Sequence, residues 1–329
     1  MDSREIKLNA VGKAASLHKK LGIIAKIREG IEQVDVFQAL HDLGVTVLCR
    51  PIEGFLGAYI SGDVSGILVS DKLSPARQRF TAGHELGHFY LNHRRNSIDT
   101  EKLFRDLQFQ PDSCPEFEFE ANSFAAEFLI PKSLIAQISK KQSWNVSDFL
   151  NPDITYQLAL RMGVSFAATK YALVSHNLIT IAQADEYLDL SLVPIKERLV
   201  GKGQLENSQY DVHYITEKDQ DRNIIARNKD TLVFDLKENS SSGYMWVIKD
   251  KPNNIKIISD GIFSEGNESV DDEIGSGCTR RIKINGAGFA NLHFEEIRAW
   301  EADSHPDKFL DISVDFDGQE TGLPKVARV

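Results

Sequence analysis

The sequence predicts an α+β protein in two parts, a mainly helical N-terminal part with a small sheet followed by an all-β sandwich. Apolar residues recur at helical spacing through most of the first 200 residues, and two runs between residues 45 and 70 read as strands. Beyond residue 200, short period-two runs alternate with glycine, serine, asparagine and aspartate. A chain of 329 residues is long for one core. We therefore expect domains at 1–200 and 213–329, joined by a polar linker at 201–212.

The first 70 residues predict helices followed by strands. The stretch AASLHKKLGIIAKIREGIEQVDVFQALHDLG has apolar residues at helical spacing, interrupted at Gly22, Gly30 and Gly44. Residues 45–52 read as one strand, and residues 57–70 read as a strand pair around a Gly-Asp turn.

The next hundred residues read as helices. Ser74 is a good N-cap and Pro75 suits the first helical position, so a helix begins there and runs through SPARQRFTAGHELGHFYLNH. Periodicity predicts three further helices, at about 116–130, 132–141 and 153–178.

The C-terminal part predicts short strands. The runs TLVFDL, YMWVIK, NIKIIS, RRIKI, ANLHFEEI and FLDISVDF have period two, and turn-forming residues separate them. This pattern is typical of a small β-sandwich.

Composition restricts the function classes. The net charge of −10 argues against direct nucleic-acid binding beyond a local basic patch. The N-terminus is no secretory signal, and no apolar run is long enough to span a membrane. Cys49, Cys114 and Cys278 are far apart and odd in number, which fits a reducing compartment better than a disulfide framework. We expect a cytoplasmic protein.

The segment TAGHELGHFY contains the strongest chemical signal. Residues i and i+4 of a helix share a face, so His84 and His88 can present two imidazoles to one metal ion. Glu85 is rotated by about 100° and suits a carboxylate that takes a proton from the attacking water. The alternative is a helix that contains two histidines by chance. Gly83 and Gly87 are poor helix formers whose small size would let another backbone or a substrate approach.

A hydrolytic zinc centre needs a third protein ligand. His93 follows His88 by five residues and should point away from the pair on a continuous helix. The better candidate is a helix between two prolines, CPEFEFEANSFAAEFLIP, on which Glu118 could bind zinc and Asn122 could orient a zinc-binding histidine. The alternative places all of its acids on a solvated face, where we assign the other three: Glu116, Glu120 and Glu127.

HELGH together with EFEANSFAAEFLIP resembles the ImmA/IrrE family of metallo-endopeptidases, and the similarity extends over about residues 10–185. The resemblance implies a zincin-like metallopeptidase domain, with His84, His88 and Glu118 matching the zinc ligands and Glu85 the catalytic glutamate. It also implies a cytoplasmic bacterial or phage-related protein that cleaves a specific partner, commonly a transcriptional repressor.

Three stretches of the C-terminal part, NSSSGYMW, GSGCTRRIKI and IRAWE, are similar in order and spacing to the loops of the chagasin family. That family comprises Ig-like inhibitors of papain-type cysteine proteases, and the similarity extends over about residues 215–318. Loop residues depart from the family pattern at Ser240–Ser242, Cys278 and Ala299, so the Ig-like fold is better supported than inhibition. The resemblance and the loop positions give a set of partner-binding residues: Ser242, Gly243, Tyr244, Gly277, Arg298 and Trp300. Trp246 lies within a strand and is expected in the core, whereas Trp300, at a strand end, is evenly balanced between core and surface.

The leading hypothesis is a zinc-dependent endopeptidase that cleaves a specific intracellular protein, such as a helix-turn-helix repressor. Its sandwich would recognise the substrate or a protein regulator. One alternative is a cysteine-protease inhibitor or adaptor whose metallopeptidase half is regulatory or silent. Another is a toxin or phage-defence protease that uses the same chemistry on a different target.

Overall fold

A computed structural model of the chain describes residues 3–60, 65–93, 99–100, 115–186, 191–238, 243–263, 278–298, 300, 308–318 and 320–324. The chain forms two compact units. The first comprises residues 1–189 and 319–329, and the second comprises residues 190–318. The fold class is confirmed, with helices and a small sheet in the first unit and strands dominating the second.

Helices dominate the first unit. Those described are α1 (Ser3–Lys20), α2 (Ile23–Arg28), α3 (Val36–Asp42), α4 (Pro75–Tyr90), α5 (Glu116–Leu129), α6 (Lys132–Gln142), α7 (Pro152–Met162), α8 (Phe166–Ser175) and α9 (Ile181–Asp185). A 3₁₀ turn, Val146–Leu150, precedes α7. Gly22 and Gly44 stand at the predicted breaks in the left-handed conformation, with φ of 66° and 73°.

One local prediction is wrong, and another is confirmed in position only. The single helix predicted at 153–178 is wrong, because Gly163 ends α7 with a φ of 66° and the Ser165 side chain then caps α8 by accepting from the Ala168 amide. Ser74 does occupy the N-cap of α4 and Pro75 follows it, but the Ser74 side chain makes no capping hydrogen bond.

A four-stranded sheet packs against α4. Its strands are β1 (Thr46–Arg50), β2 (Phe55–Ile60), β3 (Gly66–Ser70) and β4 (Asp99–Thr100), in the order β1-β3-β2-β4. Strands β1 and β3 are parallel and the other pairs are antiparallel. The turn predicted between β2 and β3 falls on residues 61–64, outside the described residues.

Each long helix of the first unit buries one face in a common hydrophobic core. Its largest fully buried side chains include Leu17, Phe37, Phe124, Phe128 and Tyr156. Burial of each such leucine or phenylalanine side chain stabilises the fold by about 1.5–3 kcal/mol.

In the described part of the second unit, α10 (Leu192–Val200) comes first and eight strands follow it. These are β5 (Val212–Ile215), β6 (Arg222–Ile225), β7 (Thr231–Glu238), β8 (Tyr244–Lys249), β9 (Ile255–Phe263), β10 (Cys278–Gly286), β11 (Phe289–Arg298) and β12 (Lys308–Asp315). They form two sheets, β5-β7-β10-β9 and β6-β12-β11-β8. Phe234 and Phe294 meet in the core with ring centroids 4.5 Å apart, and Trp246 is fully buried, as predicted.

The boundary between the units lies before the predicted linker. Residues 201–212 were expected to connect two domains, but α10 and this segment lie together in the second unit. The buried Lys196 of α10 donates to the carbonyls of Ser208 (2.9 Å) and Tyr210 (2.7 Å) and pairs with Asp211. A lysine ammonium needs several acceptors when buried, so these contacts tie the polar segment to the helix.

The described end of the chain belongs to the first unit. Glu320 is buried and pairs with Arg79 of α4, whose Nε also donates to the Gly163 carbonyl at 2.7 Å. Within the described residues, no helix is long and apolar enough to cross a membrane.

Candidate metal centre

Helices α4 and α5 pack closely because α4 carries two glycines on the contact face. A Cβ added at Gly87 would lie 3.1 Å from both the Cα and the carbonyl oxygen of Ala121. One turn earlier, a Cβ at Gly83 would lie 3.3 Å from the Leu129 side chain. The expectation that another backbone approaches is confirmed for Gly87, where the backbone is that of α5, whereas Gly83 admits side chains of α5.

This packing brings together the three candidate ligands. His84 Nε2 lies 3.1 Å from Glu118 Oε2, His88 Nε2 lies 3.5 Å from the same oxygen, and the two Nε2 atoms are 2.9 Å apart. All three side chains are buried. Within the described part of the chain, these three side chains are close enough together to hold one metal ion.

The outer nitrogens of the histidines have partners that set the proton positions. Asn122 Oδ1 accepts from His84 Nδ1 at 2.9 Å, which leaves His84 Nε2 with its lone pair. His88 Nδ1 lies 3.0 Å from His93 Nδ1, and His93 Nε2 lies 3.1 Å from Glu120 Oε2. Donation from His88 to His93 and from His93 to Glu120 leaves the His88 Nε2 lone pair facing inward as well.

The donor set fits a metal ion. With these proton positions, two nitrogen lone pairs and a carboxylate oxygen converge within 3.5 Å of one another, and a cation at their centre offsets their mutual repulsion. Ligands about 2.0–2.1 Å from a tetrahedral ion lie roughly 3.3 Å apart, close to these spacings. Two imidazoles and a carboxylate are a hydrolytic zinc set that leaves one position open.

Glu85 directly follows His84 on α4 and is buried. Strand β2 approaches it at Gly57, where an added Cβ would lie 3.4 Å from Glu85 Oε1 and would overlap the Thr81 side chain. Gly57 therefore gives the Glu85 carboxylate its space between helix and sheet.

The prediction that His93 points away from the pair is wrong. Helix α4 ends at Tyr90, and Asn92 is left-handed with a φ of 58°, so the chain turns back and the His93 amide donates to the His88 carbonyl at 2.9 Å. The sequence did contain this signal, because asparagine is a common left-handed residue just after a helix.

Of the three acids of α5 that were predicted to face solvent (Glu116, Glu120 and Glu127), only Glu116 does so. Glu116 is exposed. Glu120 is instead largely covered, since its Oε1 accepts from Asn9 of α1 at 2.6 Å and its Oε2 contacts His93. Glu127 is also largely covered, at 17% side-chain exposure.

In the second unit, several predicted loop residues lie together at one end of β8 and β11. Trp300 is 68% exposed, and its ring covers Gly243 so closely that a Cβ there would overlap it. The Arg298 guanidinium lies 4.4 Å from the centre of the Tyr244 ring. Ser242 and Gly277 lie outside the described residues.

Two family models match the chain. Residues 40–174 match the IrrE N-terminal-like domain of peptidase family M78, and residues 226–314 match the chagasin family of peptidase inhibitors, I42. Both resemblances predicted from the sequence are thereby confirmed.

Individual relatives cover only parts of the chain. "Uncharacterized immunity region protein 2" of Bacillus phage phi105 is 32% identical over 101 residues, which is 30% of this chain and 52% of the relative. The chain thus spans about half the length of the curated relative it matches.

Solved structures with similarity to the chain each cover 32% of it. The cysteine protease inhibitor EhICP2 from Entamoeba histolytica is 23% identical, with 94% of that chain covered and a TM-score of 0.28. Amebosin is 22% identical (96% covered, TM-score 0.26). PbICP-C, solved in complex with falcipain-2, is 20% identical (89% covered, TM-score 0.20).

The close approach of α4 and α5 predicts opposite effects of two Gly→Ala substitutions. Gly87→Ala should lower the free energy of unfolding by about 1–2 kcal/mol, because the new methyl group meets the α5 backbone. Gly12→Ala, on α1 with nothing within 4 Å of the added Cβ, should raise it by roughly 0.5–1 kcal/mol through helix propensity. Urea unfolding of both variants measures the two effects, and equal stabilisation by both would contradict the close packing.

Proposed function

We propose that the chain is a zinc-dependent endopeptidase that cleaves a specific intracellular protein. The observation that carries the proposal is the convergence of His84 Nε2, His88 Nε2 and Glu118 Oε2 within 3.5 Å of one another. Glu85 directly follows His84 on the same helix and is buried. The match to an M78 peptidase model supports the same class of chemistry.

Each residue of the centre has a distinct role in this proposal. His84, His88 and Glu118 hold the ion, and a bound zinc ion supplies a Lewis acid that polarises the scissile carbonyl and acidifies water. Glu85 accepts the proton of the attacking water and passes it to the leaving amine. Asn122 fixes the His84 ring, and His93 with Glu120 fixes the His88 ring.

We infer a repressor-type substrate, such as a helix-turn-helix protein. The relative from phage phi105 is named for an immunity region, and the resemblance to the ImmA/IrrE family implies a transcriptional repressor as the substrate. A toxin or phage-defence protease would use the same centre on a different protein, so the identity of the cleaved protein separates these two functions.

Metal analysis tests the ligand set. The purified full chain should hold about one zinc ion, and Glu118→Gln should lose most of it because an amide oxygen replaces the anionic ligand. Glu116→Gln, on an exposed position of the same helix, is the matched control and should keep its zinc. Full occupancy in Glu118→Gln would remove Glu118 from the site.

Mapping of new protein N-termini in cells tests the activity and names the substrate. Wild type should generate a cleaved protein that Glu85→Gln generates about 10²–10⁴-fold more slowly, since general-base catalysis contributes that factor. Glu85→Gln should keep its zinc, and Glu53→Gln, an exposed control, should cleave normally. Normal cleavage by zinc-loaded Glu85→Gln would assign the base to another residue.

We further propose that the second unit recognises a protein through the surface formed by Gly243, Tyr244, Arg298 and Trp300. The supporting observation is the exposed Trp300 ring held on Gly243, since exposed aromatic and arginine side chains often dominate protein interfaces. The partner is the substrate or a regulator. The alternative is a cysteine protease, with the metallopeptidase half regulatory or silent.

Binding assays with Trp300→Ala separate these partners. Loss of the anchor should weaken binding of the cleaved protein by about tenfold or more. Phe289→Ala removes an exposed aromatic ring at the other end of β11 and should have no effect. Titration of papain with the full chain tests the alternative, because inhibition that Trp300→Ala abolishes would assign the surface to cysteine proteases. Unchanged binding of both partners by Trp300→Ala would exclude this surface.

A further inference from the structure

The first unit also contains a cavity whose lining does not include His84, His88 or Glu118. A partly open cavity of about 70 Å³ lies between α1, α4, α5 and α8. Five alanines line it, and their small side chains leave the volume between the helices: Ala76, Ala126, Ala167, Ala168 and Ala172. With Phe80 on the same wall, the cavity suits the apolar body of a small molecule.

One buried polar group at the cavity, the Ser123 hydroxyl, makes no hydrogen bond within the described part of the chain. Ser123 lines the cavity from α5 and is 3% exposed, and its hydroxyl has no hydrogen-bond partner within the described part of the chain. Buried hydroxyls are normally hydrogen-bonded, so this orphaned group indicates a ligand atom that it would contact.

Among the residues that line the cavity, basic side chains outnumber acidic ones. Lys7 lines it from α1 and Arg77 from α4, while Glu127 of α5 is the acid among the lining residues. Burial raises the pKa of Glu127 to about 7, against the opposing effect of Lys7, so near pH 7 its carboxyl group is protonated about half of the time.

The remaining titratable groups at the cavity come from α8 and the residue after it, Tyr171 and His176. Burial lowers the pKa of His176, whose Nε2 contacts the Ile130 carbonyl at 2.9 Å, and the imidazole is neutral at neutral pH. Lys132 donates to the His176 carbonyl from outside the lining and adds positive charge. The surroundings therefore favour an anion over a cation.

We propose that this cavity binds a small carboxylic acid with an apolar body, whose carboxylate accepts hydrogen bonds from the Ser123 hydroxyl and the Glu127 carboxyl group. The site is independent of the peptidase proposal, because none of its lining residues takes part in the chemistry. It is nevertheless built on the same helices, since Phe80 precedes His84 by one turn and Ser123 follows Asn122 directly.

The pH dependence has a definite sign. An anionic ligand favours the protonated form of Glu127, so the affinity is highest below pH 7 and falls as the pH rises through the pKa of Glu127, about 7. A cationic ligand would show the opposite trend, because it favours the carboxylate.

The test is titration of the full chain with benzoate by calorimetry, at about pH 6 and about pH 8, on either side of the Glu127 pKa. Benzylamine and benzyl alcohol are the matched cation and neutral probe. Benzoate should bind about tenfold more tightly than either at the lower pH and lose about threefold or more in affinity at the higher pH. Comparable binding of benzylamine or benzyl alcohol, benzoate affinity that rises with pH, or absence of benzoate binding would overturn the proposal.

Three variants locate the site. Glu127→Gln should still bind benzoate but lose the pH dependence. Ala168→Leu fills the cavity and should weaken binding by about tenfold or more, whereas Ala15→Leu, exposed on α1, should not. Ser123→Ala adds no volume and should also weaken binding, which keeps the test decisive if Ala168→Leu does not fold. Wild-type affinity in both Ala168→Leu and Ser123→Ala would place the ligand elsewhere.

Discussion

The candidate centre depends on the contact between the backbones of α4 and α5 at Gly87 and Ala121. A zinc-type site needs donors a few ångströms apart on separate elements, and ordinary side chains at a helix crossing keep the axes about 8–10 Å apart. Here a glycine removes the side chain at the crossing, so Glu118 reaches both His84 and His88. The helix-propensity cost of Gly83 and Gly87 is about 1 kcal/mol each, and the geometry of the centre is what offsets it.

A set of polar contacts outside the three ligands holds their orientation. Asn122 comes from the same helix as Glu118, so one rigid element positions both a ligand and the support of another. The His93–Glu120 contact joins the turn after α4 to α5, and Asn9 extends the chain of contacts to α1. Because each histidine has a defined partner on its outer nitrogen, the inner lone pairs point at the same place.

The second unit uses its tryptophans in two ways. Trp246 is buried, its ring nitrogen donating to the Lys237 carbonyl at 2.9 Å and its amide to Glu238 at 3.0 Å, so it fixes the core and the start of β8. Trp300 is exposed and rests on Gly243 instead. The sandwich thus holds an apolar anchor at its surface while its own core remains filled.

Periodicity and motif spacing were enough to predict the six long strands of the sandwich, the burial of Trp246, the His84–His88 pair and Glu118 as the candidate third ligand. The sequence motifs also showed the resemblance to both families. The cover over Glu120 and Glu127, the short strands β5 and β6, and the place of α10 and residues 201–212 in the second unit emerged only from the folded structure. The cover over the acids and the pairing of the short strands depend on contacts between segments far apart in the chain. Four-residue strands and single acidic side chains carry too little periodicity to reveal such contacts.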